Sequence, residues 1–265
     1  MKKITVLILT SFFIPLWASA STMAGVSELS QLPKNTPLEE IDRLVKSGDL
    51  LKAKDKCESL VGSGLSEDER KSAERALQDI NIKILFSPTI TPNSFLYTAQ
   101  PGDTLSKIAK KYSTTVEFIR KSNGLKNDSI HEGMKLKIMK TTFKIAIDIS
   151  DHQLKLYANH ELIKTYSVAT GRVGKATPKG TFTIVNKLEN PVWYHEGTAI
   201  PSGDPKNILG TRWLGFSLKS YGIHGTTLPE TVGTAASEGC IRMLNSEVEE
   251  LYSIVPQGAT VTLAE

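Results

Sequence analysis

The sequence predicts a multidomain protein. Its largest part is a mostly-β domain of sandwich or barrel-like build, preceded by a small strand–helix–helix–strand unit and a short α-helical segment. Three observations carry this prediction. From residue 143 onward apolar side chains alternate with polar ones, as at Ile145, Ile147 and Ile149, at Leu154 and Leu156, and at Tyr166 and Val168, the period of a half-buried strand. Residues 97–139 pass from a strand pattern to two short helical patterns and back. Residues 36–86 keep helical spacing, interrupted only at glycine clusters.

The first twenty residues read as a signal peptide at 1–20. Lys2 and Lys3 form a charged start, Ile4 to Trp17 is almost wholly apolar, and Ala18-Ser19-Ala20 fits a small-residue cleavage site. The run is short for a bilayer span and meets Pro15 before its end. Export with no stable membrane anchor after cleavage is therefore the expectation, with the protein acting in the periplasm or cell wall. Loss of Lys2 and Lys3 takes the formal charge of +4 down to +2, too weak a balance to argue for nucleic acid. The positive charge concentrates at 97–140, which holds nine Lys and Arg against four Asp and Glu. Cys57 and Cys240 are the two cysteines, so an exported disulfide framework is excluded and at most one bridge can form.

Between 36 and 86, Leu38, Ile41, Leu44 and Val45 share a helical face before Ser47-Gly48-Asp49 breaks the pattern. Leu50, Leu51, Ala53, Cys57, Leu60 and Val61 resume it until Gly62-Ser63-Gly64. Ser66 with Glu69 then forms a capping-box signature for a third helix. The segment resembles a helix-turn-helix repeat unit of the tetratricopeptide kind, and is assigned a packing or protein-partner docking role. Residues 87–94, with Pro88 and Pro92, read as a linker.

In the unit at 95–140, a strand at Tyr97 meets a Pro101-Gly102 turn, and Asp103 or Thr104 caps a helix carrying Leu105, Ile108, Ala109 and Tyr112 on one face. Thr115 caps a second helix that ends at Asn123-Gly124. An extended segment follows, from Ile130 to Met139. The Pro101-Gly102-Asp103-Thr104-Leu105 turn and the later Asn123-Gly124-Leu125 resemble the recurring features of a LysM domain. The resemblance implies binding to N-acetylglucosamine-containing glycan, above all peptidoglycan. The candidate glycan-binding residues are Gly102, Asp103, Thr104 and Leu105 on one side and Asn123, Gly124 and Leu125 on the other.

Residues 141–265 contain the chemistry. Asn159-His160 reads as a hairpin turn, and Ser246 with Glu249 as a capping box for a helix ending before Pro256. His224-Gly225-Thr226 precedes Ser237-Glu238-Gly239-Cys240-Ile241-Arg242, with the cysteine 16 positions after the histidine. A thiol is a strong nucleophile only as thiolate and needs a base beside it. Flanking glycines let the backbone approach a substrate and aim N–H groups at an oxyanion. His195, within Trp193-Tyr194-His195, is a weaker candidate base, and residues 187–213 are long enough to form a lid. His131, His152 and His160 lie in turn-like settings without metal-ligand spacing, so neither metal nor cofactor is expected.

These motifs, together with Thr170-Gly171 and Thr177-Pro178-Lys179-Gly180-Thr181-Phe182, resemble the L,D-transpeptidase (YkuD-like) catalytic domain. The resemblance implies Cys240 as nucleophile and His224 as base, with the Gly225 carbonyl fixing the histidine tautomer. Amide groups at Gly239 and Cys240 would serve as oxyanion donors. Ser237 would support the cysteine loop, and Arg242 would support it or place a substrate carboxylate. It implies attack on the bond from an L-centre to D-Ala in a tetrapeptide stem, and a thioester resolved by an amine of a neighbouring stem. The partners are thus the glycan strands and peptide stems of peptidoglycan. The family often has histidine where this chain has Glu238, which leaves His224 the one strong base and requires Glu238 to face away from the thiol. Water in place of the amine would give a carboxypeptidase, and a non-catalytic peptidoglycan-binding protein is the reading of another class.

Overall fold

A computed structural model describes residues 36–265; the signal peptide read at 1–20 lies outside them. Helices α1 (Pro37–Ser47), α2 (Leu50–Val61) and α3 (Glu67–Leu85) fall where the helical spacing placed them. Gly48 turns the chain between the first two with φ +85°, and the Ser66–Glu69 capping box forms at the start of α3. Ile41, Ala53, Cys57 and Ile80 make a small core between the helices. The Cys57 thiol is buried, lies 3.2 Å from the Ala73 carbonyl oxygen and is pushed up in pKa by burial. That is the setting of an inert structural cysteine. Both cysteines are free.

In the next unit, β1 (Ser94–Thr98) pairs antiparallel with β2 (Lys135–Met139) around α4 (Leu105–Lys111) and α5 (Val116–Ser122). The strand begins inside the stretch read as linker, because Ser94 is in register with Met139 and its hydroxyl accepts the Thr91 N–H at 2.7 Å. Thr104 rather than Asp103 caps α4, accepting the Lys107 N–H, and Thr115 caps α5.

The remaining chain is mostly β. Its strands are β3 (Phe143–Asp148), β4 (Gln153–Ala158), β5 (Glu161–Ser167), β6 (Thr170–Gly171), β7 (Gly180–Glu189), β8 (Trp193–His195), β9 (Thr198–Ile200), β10 (Arg212–Phe216), β11 (Gly222–His224), β12 (Ala235–Ser237) and β13 (Ile241–Arg242). Helix α6 (Asn245–Ile254) and β14 (Thr260–Ala264) complete it. Eight strands form one mixed sheet in the order β13-β11-β10-β7-β14-β3-β4-β5. Two pairs are parallel, β14 with β3 and β11 with β13. Asn159, at φ +55°, makes the tight turn between β4 and β5. Fully buried Val248, Leu251 and Ile254 pack α6 into the core shared with Leu214 of β10 and Ile223 of β11. The helix opens earlier than the capping box read at Ser246 and Glu249. Leu244 is its N-cap residue and its carbonyl accepts the N–H groups of Glu247 and Val248.

The helical segment covers the free edge of the sheet. Edge strand β5 receives side chains from α3: Gln78 accepts the Thr165 N–H at 2.9 Å, and Asn81 donates to the Ile163 carbonyl at 3.4 Å. Lys54 of α2 pairs with Glu161. Unpaired strand edges invite association with other chains, and here α3 meets those groups from within. The LysM-like unit is wedged beside it. Phe118 of α5 packs edge-on against both Phe86 and Phe143, with centroids 5.9 and 5.6 Å away. Buried Lys137 donates to the Ile84 and Ser87 carbonyls at 2.7 and 2.8 Å. A cation there meets the electronegative end of α3.

Candidate active site

His224 ends the three-residue strand β11, where sheet pairing decides its neighbours. It lies opposite Trp213 of β10 and opposite Arg242 of β13. The Trp213 indole stacks alongside the imidazole at 6.0 Å. Glycine at 222 admits that indole, since a Cβ there would sit 2.9 Å from the ring and 2.5 Å from the Leu214 carbonyl oxygen. The imidazole is 3% exposed, and its Nδ1 lies 2.6 Å from the Gly225 carbonyl oxygen. A carbonyl only accepts, so the proton sits on Nδ1 and Nε2 is left as the basic nitrogen. Burial, with the Arg242 charge adding to it against the Gly225 hydrogen bond, lowers the imidazole pKa to about 4.

Cys240 immediately precedes β13, two residues before Arg242. Arg242 is the sheet partner of His224, so the cysteine loop leads directly into the strand beside the histidine. The partly exposed thiol donates to the Ser220 carbonyl at 3.5 Å. Burial raises its pKa, opposed by the Gly222 backbone and the Arg242 charge. The resting pair is therefore a neutral thiol and a neutral imidazole. Cys240 lines a cleft of about 270 Å³ walled by Pro191, Val192, Trp193, Tyr194, Leu209 and Trp213. The β8–β9 region thus supplies one wall, where the sequence suggested a lid. Tyr194 is 77% exposed, so it shapes the cleft rather than a core. His195 stacks on Trp193 at 4.4 Å and does not line the cleft.

The cysteine loop is held by Ser237. Its hydroxyl donates to the Cys240 carbonyl at 2.6 Å and accepts the Gly239 N–H at 3.0 Å. The Gly239 amide is thereby engaged inside the loop rather than facing the cleft as an oxyanion donor. Gly239 has φ +110°, and a Cβ there would meet Tyr221 at 3.0 Å. Glu238 faces away from the thiol and receives two nitrogens of Arg172 at 2.9 and 2.7 Å. Arg242 is 4% exposed; it donates to Thr231 at 2.9 Å and its Nε has no hydrogen-bond partner.

Spacing alone did not reveal Ser220 or Asn245. The Asn245 side chain bonds Thr226 and Thr211 behind the histidine. In the LysM-like unit, Gly102, Thr104 and Gly124 are exposed. Asp103 accepts the Tyr97 hydroxyl at 2.7 Å and the Gln100 N–H at 2.8 Å, fixing the turn. The Leu105 side chain is 1% exposed in the unit's core, so only its backbone can face a sugar. The Asn123 amide is engaged with Ile119 and with both backbone groups of Lys137. Half-buried Leu125 packs on the same core.

The buried imidazole makes stability depend on acid. Its pKa is about 4 when folded against 6.5 as the unperturbed value, so between these values the unfolded chain holds the extra proton. The stabilisation is complete above pH 6.5 and is lost as pH falls toward 4, by about 3 kcal/mol for this group. Urea unfolding at both ends of that window is expected to show a smaller loss for His224→Asn than for the unmodified protein. Equal losses would mean that the imidazole is not held neutral.

The LysM domain family model matches residues 97–138, and the model of the L,D-transpeptidase catalytic domain matches 142–263. The chain is 37% identical over 175 residues to a putative L,D-transpeptidase YkuD of Bacillus licheniformis, covering 63% of this chain and 98% of the relative. Its namesake in Bacillus subtilis is 35% identical over 173 residues, covering 63% and 97%. A putative L,D-transpeptidase YqjB of the same organism is 39% identical over 126 residues, covering 46% and 70%. With a relative aligned along nearly its whole length, this chain belongs to the YkuD family of L,D-transpeptidases and carries a LysM domain ahead of its catalytic domain.

Proposed function

We propose that the protein is an exported peptidoglycan L,D-transpeptidase that joins third-position diamino acids of neighbouring stems. As Cys240 Sγ attacks the carbonyl of the L-centre, His224 Nε2 takes the thiol proton. The Cys240 amide and the Arg242 charge favour the negative charge that develops. The tetrahedral adduct collapses, the carbon–nitrogen bond breaks, and His224 returns the proton to the amine of departing D-Ala. An acceptor amine then attacks the thioester, giving its proton to His224. The carbon–sulfur bond breaks, and the thiolate regains its proton.

The observation that carries this reading is the Cys240 thiol in an aromatic-walled cleft, together with a buried neutral imidazole whose Nδ1 is occupied by the Gly225 carbonyl and whose strand pairs with the one that follows Cys240. The LysM domain supports the choice of polymer. Lys121 donates to Ser253 of α6 at 2.6 Å and Thr115 bonds the Ser253 carbonyl, so a glycan held there would be presented in a fixed relation to the cleft. Such tethering raises the local concentration of stems. Packing of α3 on β5 supports reading the helical segment as cover for the sheet edge rather than as a surface for a protein partner.

Incubation with tetrapeptide muropeptides, followed by mass spectrometry, tests the reaction. Dimers that have lost one D-Ala are expected. Loss of D-Ala without dimers would make the enzyme a carboxypeptidase, and unchanged substrate would leave only a binding protein.

A further inference from the structure

Behind His224 the chain passes through a backbone cradle centred on Asn245, the first residue of α6. Asn245 Oδ1 accepts the N–H of Thr226 at 3.0 Å and that of Thr211 at 3.2 Å, while Nδ2 donates to the Thr226 carbonyl at 2.9 Å. The same peptide unit has its other end on the imidazole, since the Gly225 carbonyl takes the His224 Nδ1 proton at 2.6 Å. That carbonyl and the Thr226 N–H belong to one conjugated peptide group. Accepting from its N–H makes its oxygen a stronger acceptor, as in any polarised chain of hydrogen bonds.

Two glycines exist to let the amide in. A Cβ on Gly225 would lie 2.1 Å from Asn245 Oδ1, and one on Gly210 would lie 2.2 Å from it. Asn245 is also five residues beyond Cys240, so the turn from β13 into α6 ties nucleophile and base to one anchor.

We propose that Asn245 is a positioning residue of the transfer reaction, acting on His224 through the Gly225–Thr226 peptide. It aims the carbonyl that holds the Nδ1 proton and thereby keeps Nε2 basic and directed. A carboxamide bonded directly to the imidazole does this work in other cysteine–histidine sites; here a peptide bond stands between the two. The inference rests on the assignment of Cys240 and His224 as the reacting pair.

The test uses Asn245→Asp and Asn245→Ala in the full chain, with two readouts. The first is titration of the His224 ring by NMR, and the second is the rate of Cys240 acylation by a carbapenem, followed by intact mass across pH. Aspartate keeps an acceptor for both N–H groups and adds a negative charge. The His224 midpoint is therefore expected to rise by about one pH unit, with the Arg242 charge on β13 unchanged. Alanine is expected to slow acylation at saturating carbapenem about tenfold or more, as the peptide loses its fixed orientation. A His224 midpoint in the folded aspartate variant equal to that of the unmodified protein would overturn the proposal. Should the alanine variant fail to fold, the aspartate titration decides alone. Acylation that persists in Cys240→Ala would remove the reaction assignment instead, and the ring titration would still report on Asn245.

Discussion

Cys240→Ala is expected to lower acyl transfer by at least about 10³-fold, the scale on which a covalent nucleophile contributes. Its thermal midpoint should stay close to that of the unmodified protein. The thiol lines the cleft, and its contacts are to backbone, a long one to the Ser220 carbonyl and one to the Gly222 backbone. The shape of its loop depends on the Ser237 hydroxyl and the backbone, which alanine leaves in place. Removing His224 is a less clean experiment, because it empties a buried site beside Trp213 and Arg242. Cys240→Ser should be inactive as well: an imidazole lowered to about 4 is a weak base for a hydroxyl far less acidic than a thiol. Tetrapeptide muropeptides followed by mass spectrometry, with unfolding recorded in parallel, check both variants. Turnover retained by Cys240→Ala would end the assignment.

The candidate pair was legible in the sequence because its chemistry is carried by residue type. A histidine and a cysteine, each beside glycine and set within the longer motifs around them, name a candidate nucleophile and base. Helix starts were legible where a hydroxyl side chain forms the cap, as at Ser66, Thr104 and Thr115. The start of α6 was misplaced because its N-cap is Leu244, which carries no capping side chain, while Asn245 is committed to other loops. Strand order was not legible. The last strand, β14, inserts between β7 and β3, and only pairing of that kind places Trp213 opposite His224. The allocation of hydrogen bonds was equally hidden. Gly239 looked like an oxyanion donor, but its N–H belongs to Ser237. Asn123 looked like a sugar ligand, but its amide ties α5 to β2. Such choices depend on which groups folding brings within 3 Å, and spacing along the chain does not record that.

Gly210→Ala is expected to remove about 3–5 kcal/mol of stability, the range of severe backbone collisions, and most of the acylation rate with it. Gly210 has φ +64°, which by itself costs an L-residue about 1–2 kcal/mol. The larger part is steric. A Cβ would stand 2.4 Å from the Thr226 nitrogen and 2.6 Å from the Gly225 carbonyl carbon, and backbone atoms have no rotamer to escape into. Relief requires the Gly225–Thr226 peptide to move, and that peptide carries the carbonyl on which His224 Nδ1 rests. Stability and reactivity should therefore fall together. Gly203→Ala separates the two causes, because Gly203 also has positive φ, +87°, yet a Cβ there meets nothing within 4 Å. It should lose about 1 kcal/mol and keep its acylation rate. Urea unfolding and carbapenem acylation measured on both variants give the comparison. A Gly210→Ala protein that unfolds and acylates like Gly203→Ala would show that the cradle behind His224 yields without consequence for the base.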